Sequence, residues 1–299
     1  MINQLPSFFV LGVQKAGTTF LHEWLAQQPD TCLPQLKETH FFSHDARYQR
    51  GVDWYLNQFP KPTDNAIIGE IDPEYIFHKE TPLRIRHLLK SPKFICVFRN
   101  PIDRAYSHYL MSIGNGKETL SFPEALRQEE NRRVKGDKDY LPYHSYMARS
   151  KYSEQLIHYK DIFTDSDFLL VKFEDLFGSS THDVAFANVY KFIGMRSEPL
   201  LPNLSKKSNP SSNPRSILLR NMIYGISPFK KAVGSLIPSK RWKLRLAVFL
   251  DRMNQAPLKN KSEGWRQQVS NEIWDLCNEE IVKLESLTGL KLQDWIRDK

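Results

Sequence analysis

Four short apolar runs punctuate the chain: Phe8–Leu11, Ala66–Ile71, Phe94–Phe98 and Phe168–Phe173. Each has the length of a buried strand and is too short for a buried helix. Between and after them, apolar residues recur at three- and four-residue intervals. Phe20, Leu21, Trp24 and Leu25 form one such face, limited by Pro29. Leu156, Ile157 and Tyr159 form a second, and Trp274, Leu276 and Ile281 a third within a helix expected over 273–287. Leu290, Leu292, Trp295 and Ile296 continue that C-terminal anchor over 271–299. Shorter helices are expected from Arg50, from Pro82 with Thr81 as cap, and over 122–134 as a charged, exposed insertion. Strands alternating with helices predict an α/β fold, with a central parallel sheet flanked by helices, in one domain spanning 1–299.

The first strand leads into Gly12-Val13-Gln14-Lys15-Ala16-Gly17-Thr18-Thr19 and then directly into the first helix. A tight turn between strand and helix exposes free amides at the positive end of the helix dipole, which suits an anion. The usual ATP loop places its lysine after the last glycine, whereas Lys15 precedes Gly17. Pattern alone leaves two readings, a phosphate-like site or a plain glycine turn with Lys15 in water.

Three further segments carry chemistry. In 36–43, Lys37, Glu38 and His40 sit between apolar residues. They read as a solvated loop with aromatic anchors, or as a place where Glu38 or His40 takes a proton from a hydroxyl or amine. The run ending at Ile71 leads into Asp72-Pro73-Glu74-Tyr75, putting Glu70 and Asp72 where parallel sheets hold ligands. The strand ending at Phe98 is followed by Arg99-Asn100-Pro101, with Asn100 as helix cap and Ser107 two turns on. Arg99 and Ser107 could grip one phosphate, or Arg99 could pair with a carboxylate.

A formal charge of +8 favours anionic partners without choosing among them. It is unevenly spread: residues 205–261 carry thirteen Lys and Arg against Asp251 alone. The polar stretch from Ser205 to Arg215 reads as a flap. Residues 230–248 mix basic and apolar groups in helical fashion, fitting an anionic membrane, a polyanion or a solvated helix face. No nucleic-acid reading module is recognisable. Cys32, Cys96 and Cys277 lack metal spacing and suggest no disulfide framework, which suits the cytoplasm. The start of the chain has no secretory leader pattern, and no apolar stretch reaches membrane-spanning length.

Taken together, these motifs resemble the sulfotransferase superfamily that uses 3'-phosphoadenosine-5'-phosphosulfate (PAPS). The similarity rests on 12–19, 37–42, 51–60, 69–75, 98–109 and the ending Leu284-Glu285-Ser286-Leu287-Thr288-Gly289. Lys37-Glu38-Thr39-His40-Phe41-Phe42 and Gly51-Val52-Asp53-Trp54-Tyr55 look most like the heparan-sulfate and glycan branch. The resemblance implies a P-loop-like domain that transfers a sulfuryl group from PAPS, releasing 3'-phosphoadenosine-5'-phosphate (PAP), with no metal.

By matching position, Gln14, Lys15, Ala16, Gly17, Thr18 and Thr19 would hold the 5'-phosphosulfate. Arg99 and Ser107 would hold the 3'-phosphate, with Lys206 and Arg215 also on the donor. Lys15, Glu38 and His40 would be catalytic, Glu38 as base; Lys37, Glu70 and Asp72 would meet the acceptor. Ile71 stands where glycan-modifying relatives commonly have lysine, so Lys37 or the basic 205–261 region takes over, or the acceptor is less anionic. The expected acceptor is a saccharide hydroxyl; alternatives are a small or lipid-like alcohol, or an amine. Rival classes are a P-loop kinase, disfavoured by the lysine position, and a non-catalytic anion- or glycan-binding protein. A bacterial cytoplasmic enzyme is the expected setting.

Overall fold

A computed structural model describes residues 4–178, 181–197, 200, 212–214, 255–257 and 264–297. They fall in two compact units: Met1–Ala105 with Met147–Ser208 and Asn271–Lys299, and Tyr106–Tyr146 with Asn209–Ser270.

The first unit holds the sheet. Its strands are β1 (Phe8–Gly12), β2 (Thr31–Cys32), β3 (Ile67–Ile71), β4 (Lys93–Phe98) and β5 (Phe168–Lys172). All pairings are parallel, in the order β2-β3-β1-β4-β5. Phe8 to Leu11 and Phe94 to Phe98 are fully buried, because helices flank the sheet and leave no wet face for an alternating pattern. Helix α1 (Thr18–Leu25) buries Leu21, Trp24 and Leu25, with Trp24 packed edge-on to Phe186 at 4.6 Å.

Four short or connecting helices follow: α2 (Asp45–Tyr48), α3 (Gly51–Leu56), α4 (Thr81–Leu88) and α5 (Pro101–Gly114). Of these α5 begins in the first unit and continues into the second. Thr81 opens α4 rather than capping it, because its hydroxyl bonds the Phe42 carbonyl at 3.5 Å. Asn100 does cap α5, its side-chain oxygen accepting from the Ile102 amide at 3.2 Å.

In the second unit, α6 (Phe122–Val134) has the expected bounds but is not simply exposed: Phe122, Ala125, Leu126 and Glu129 are buried. Phe122 and Tyr106 both pack on Trp265, Tyr106 stacking at 4.0 Å. The first unit resumes with α7 (Tyr152–Lys160), α8 (Phe173–Phe177), α9 (His182–Ile193) and finally α10 (Asn271–Thr288). Helix α9 and the two-residue strand β2 are not foreseen by the sequence reading. Of the basic stretch 205–261, a two-stranded antiparallel pair, Ser212–Pro214 with Gln255–Pro257, is described. The rest of the expected flap, with Lys206 and Arg215, and the helix expected over 230–248 lie outside the described residues. Among the described residues no helix is long and apolar enough to cross a membrane.

Candidate active site

Strand order decides where the site forms. The chain leaves β1 toward β3 and β2 on one side, then returns to β4 and β5 on the other. The carboxyl ends of β3, β1 and β4 therefore lie side by side at the point where the order reverses, the position at which open parallel sheets bind ligands. These three ends carry the loop 12–19, the turn with Glu70 and Asp72, and Arg99.

The loop after β1 closes on Gly17, which caps α1 with φ of 83°. A side chain there would run into the Phe177 ring, so glycine is required on two counts. Helix α1 starts at Thr18 and leaves its first amides without intrahelical partners. Lys15 also has positive φ, 73°, and among the described residues it shares this with one other non-glycine residue, His40 at 49°. Such backbone costs of order 1–3 kcal/mol and persists where the surroundings fix it.

From the end of β4, Arg99 donates to the Lys15 carbonyl at 3.0 Å and lies over the Phe173 ring at 4.8 Å. Tyr152 donates to the Arg99 carbonyl at 2.9 Å. Arg99 is thus steered to the loop after β1 and not to a carboxylate. Lys15 is half-buried rather than in open water, and its pKa falls to about 8. Burial is the main cause, reinforced by the positive charges of Arg99, Arg104 and Lys37. A half-buried cluster of cations around free amides is matched by an anion. Ser107 lies further along α5, in the stretch belonging to the second unit.

The segment 37–42 is pinned by its aromatic residues. Phe41 stacks on Tyr55 at 4.5 Å, and Phe42 meets Phe9 at 5.8 Å and Tyr75 at 5.6 Å. With both rings fully buried, the polar residues that precede them, Lys37 to His40, are tethered beside the sheet. Arg47 of α2 steadies the turn by donating to the carbonyls of Glu38 and Thr39. Lys37 Nζ then bridges Thr19 Oγ1 at 2.9 Å and Glu38 Oε1 at 2.8 Å, tying the loop after β1 to the Glu38 carboxylate. His40 Nε2 stands 4.0 Å from Glu38 Oε2. The aromatic anchors expected of this segment are present, and they fix where the side chains of Glu38 and His40 stand.

Glu70 and Asp72 do not reach the surface; both are fully buried. Glu70 accepts from the Thr39 amide at 3.1 Å, the Tyr55 hydroxyl at 2.6 Å and the Tyr75 hydroxyl at 3.1 Å. Burial, and the neighbouring Asp72 charge, push its pKa up to about 7. Asp72 accepts from the His40 amide at 2.7 Å and the Glu74 amide at 3.1 Å, and its Oδ1 meets His40 Nδ1 at 3.1 Å. Burial raises its pKa, opposed by the His40 bond. Sequence reasoning placed these two carboxylates at the strand end correctly but gave them an acceptor to bind; in the fold their oxygens are occupied by protein donors. Tyr55 and Tyr75 supply two of those donors, and nothing in a strand-plus-aromatic pattern distinguishes a packing tyrosine from a donating one.

One atom each from Glu38, His40 and Asp72 lie within 4.8 Å of one another, a spacing compatible with a cation. The Asp72 oxygens are already taken up by three donor contacts, so the residues present fit a hydrogen-bonded relay better than a metal ligand set.

Comparison with known proteins agrees with this geometry. The family described as "Sulfotransferase domain" matches residues 5–224. Human heparan sulfate glucosamine 3-O-sulfotransferase 6 is 32% identical over 193 residues, covering 64% of this chain and 53% of that protein. The membrane-associated sulfotransferase kil1 of Dictyostelium discoideum is 37% identical over 122 residues, 40% of this chain and 26% of that protein. The chain thus spans about half, or less, of the length of these curated relatives. In fold, a sulfotransferase from Alicyclobacillus acidocaldarius superposes with a TM-score of 0.69 at 24% identity, covering 98% of this chain and all of that one. With the family model matching residues 5–224, well over half of the chain, this chain belongs to the sulfotransferase domain family.

Proposed function

We propose that the protein transfers a sulfuryl group from PAPS to a saccharide hydroxyl. The observation that carries this reading is the Thr19–Lys37–Glu38 chain of contacts, which sets a carboxylate beside the cationic loop of Lys15. In that arrangement the amides of 17–19 and the hydroxyls of Thr18 and Thr19 hold the 5'-phosphate, while Gln14 and Ala16 shape the loop. Arg99, just past the end of β4, holds the 3'-phosphate; Ser107 of α5 keeps the 3'-phosphate role that the family resemblance implies, and the basic residues Lys206 and Arg215 add charge toward the donor. Lys37 and Lys15 neutralise the transferring group. The acceptor oxygen attacks sulfur as its proton passes to Glu38; the bond from sulfur to the bridging phosphate oxygen breaks and PAP leaves with that electron pair. The sulfuryl group is less charged than a phosphoryl group, so protein cations suffice and no metal is invoked.

Heparan-type glucosamine is the acceptor to try first, because the human relative is a heparan sulfate glucosamine 3-O-sulfotransferase. Three buried free thiols suit a reducing compartment such as the cytoplasm.

The test is calorimetric titration of PAP beside adenosine 5'-diphosphate, which lacks the 3'-phosphate, with wild type and Arg99→Ala. PAP should bind tightly, and removing either the 3'-phosphate or Arg99 should weaken binding about 10- to 100-fold, the worth of a charged hydrogen bond. Equal binding of both nucleotides, or of neither, overturns the donor assignment; turnover that a chelator abolishes overturns the metal-free mechanism.

A further inference from the structure

The His40 backbone, the two carboxylates behind it and the direction of its ring form one arrangement that the mechanism above leaves unused. The geometry points to Asp72 as a positioning residue that fixes the tautomer of His40, so that Nε2 presents a lone pair beside Glu38 as the second proton-accepting atom of the site. Asp72 holds this histidine at two places at once. One carboxylate oxygen takes the His40 amide at 2.7 Å, which keeps the residue in its left-handed conformation. The carboxylate also lies 3.0–3.1 Å from Nδ1. A carboxylate can only accept, so Nδ1 must carry the proton. In the neutral ring that leaves Nε2 as the acceptor, 4.0 Å from Glu38 Oε2. That gap is too long for a direct hydrogen bond. It is of a size for an acceptor hydroxyl or a water to bridge the two groups.

Asp72 is itself immobilised. It is fully buried, and the Glu74 amide donates to it at 3.1 Å. Glu70, two residues earlier on β3, is locked by Tyr55, Tyr75 and the Thr39 amide, so the strand end and the loop that bears His40 are tied together twice. The charged groups acting on the ring are Asp72 and Glu74 from the segment after β3 and Glu38 from its own loop. Arg47 of α2 is spent on the backbone carbonyls of Glu38 and Thr39. Glu74 keeps its charge despite burial because Arg149 and His78 hold it well below the usual carboxylate range. Burial of His40 opposes protonation, but the bond and charge of Asp72 outweigh it and raise the imidazole above its ordinary value. The proton-accepting form is therefore complete only on the alkaline side of that raised value, and sulfuryl transfer should show an acidic limb there.

The kinetic part of this inference rests on the sulfuryl-transfer reading; the ring chemistry does not. Long-range proton–nitrogen NMR of the histidine rings, assigned to His40 by loss of its signals in His40→Gln, tests the ring alone. Wild type should show the Nδ1–H tautomer and a titration midpoint above that of free histidine. Asp72→Asn should lower the midpoint and mix the tautomers while leaving PAP affinity within twofold. In PAP-release assays with a heparan-sulfate oligosaccharide as probe acceptor, the acidic limb should move with that midpoint, and plateau kcat should fall about tenfold or more, with KM for PAPS unchanged. An Nε2–H tautomer in wild type overturns the assignment even if Asp72→Asn does not fold. A midpoint or limb that stays in place in Asp72→Asn also overturns it. A ring that behaves as stated in a protein that releases no PAP would instead sink the sulfuryl-transfer reading and leave the Asp72–His40 pair standing.

Discussion

Lys15 is the cation at this site whose charge is adjustable near neutral pH. Its pKa of about 8 lies below the ordinary 10.5 because burial and three neighbouring cations disfavour its proton. Between those two values the unfolded chain binds the proton that the folded chain has lost, so stability rises with pH across that window, and the charged lysine costs stability below about 8. A bound anion reverses this preference by favouring the charged form. PAP affinity should therefore fall as pH rises from 7 to 9.5, a range in which the phosphates of PAP are already ionised and cannot themselves produce the change. Lys15→Met should bind PAP more weakly and lose this dependence. Calorimetry across the range checks both, and a wild-type profile that stays flat would deny Lys15 its place against the donor. Arg99, permanently charged, cannot supply the same signature.

At the scale of elements, β3 and the segment 37–42 behave as one clamped pair. The clamp has a cost that pH exposes. Glu70 in the fold titrates near 7, against 4.5 for an unperturbed glutamate, because it is fully buried beside Asp72. Between those values the folded chain holds a proton that the unfolded chain has released. The sign is thus opposite to that of a salt-bridged acid: the stabilising contribution is complete below about 4.5 and is lost as pH rises through about 7. Glu70→Gln carries no such charge and keeps an oxygen for one of its three donors. Its melting temperature should lie close to that of wild type at pH 5 and move above it by pH 8, giving curves that separate with rising pH. Parallel curves would show that Glu70 is not the group that titrates.

For the whole molecule, the C-terminal segment decides whether the arginine strand end stays put. Helix α10 buries Trp274, Cys277, Ile281 and Leu284, and Glu280 takes the amide and hydroxyl of Ser153 at 2.6 and 2.9 Å. Beyond the helix, the carbonyl of the buried Trp295 accepts from Asn100 Nδ2 at 3.1 Å, and its indole nitrogen donates to Glu174 at 3.2 Å. A residue 195 positions away in sequence thereby holds the turn that follows Arg99. Trp295→Ala should cost about 3–5 kcal/mol in denaturant unfolding, as expected for a large buried ring. It should also weaken PAP binding under conditions where the variant remains folded. Lost stability with unchanged PAP affinity would confine Trp295 to a packing role.

Continuous apolar runs are legible because a parallel sheet covered on both faces needs them, and the chain supplies β1, β3, β4 and β5 in that form. The loop at 12–17, the cap at Asn100 and the helix at 122–134 are legible for the same local reason: glycine, asparagine and proline constrain backbone wherever they occur. Helix α9 escapes although its buried face, Ala185, Phe186, Val189, Tyr190 and Ile193, repeats at the same three- and four-residue spacing that marks α1. The candidate site divides along the same line. That Lys15, Glu38, His40 and Arg99 are the candidates for chemistry follows from residue type and motif. Which carboxylates face a ligand does not, because a strand sends alternate side chains to opposite faces and sequence cannot say which face a layer of tyrosines will close. Tyr55 and Tyr75 close it over Glu70, and the His40 and Glu74 amides occupy Asp72, so the tertiary structure turned two expected ligand contacts into supports. Local sequence thus determined the strands, the turns and the reactive side chains. Only the packing of distant segments decided their partners, because burial and hydrogen-bond pairing are properties of neighbours in space.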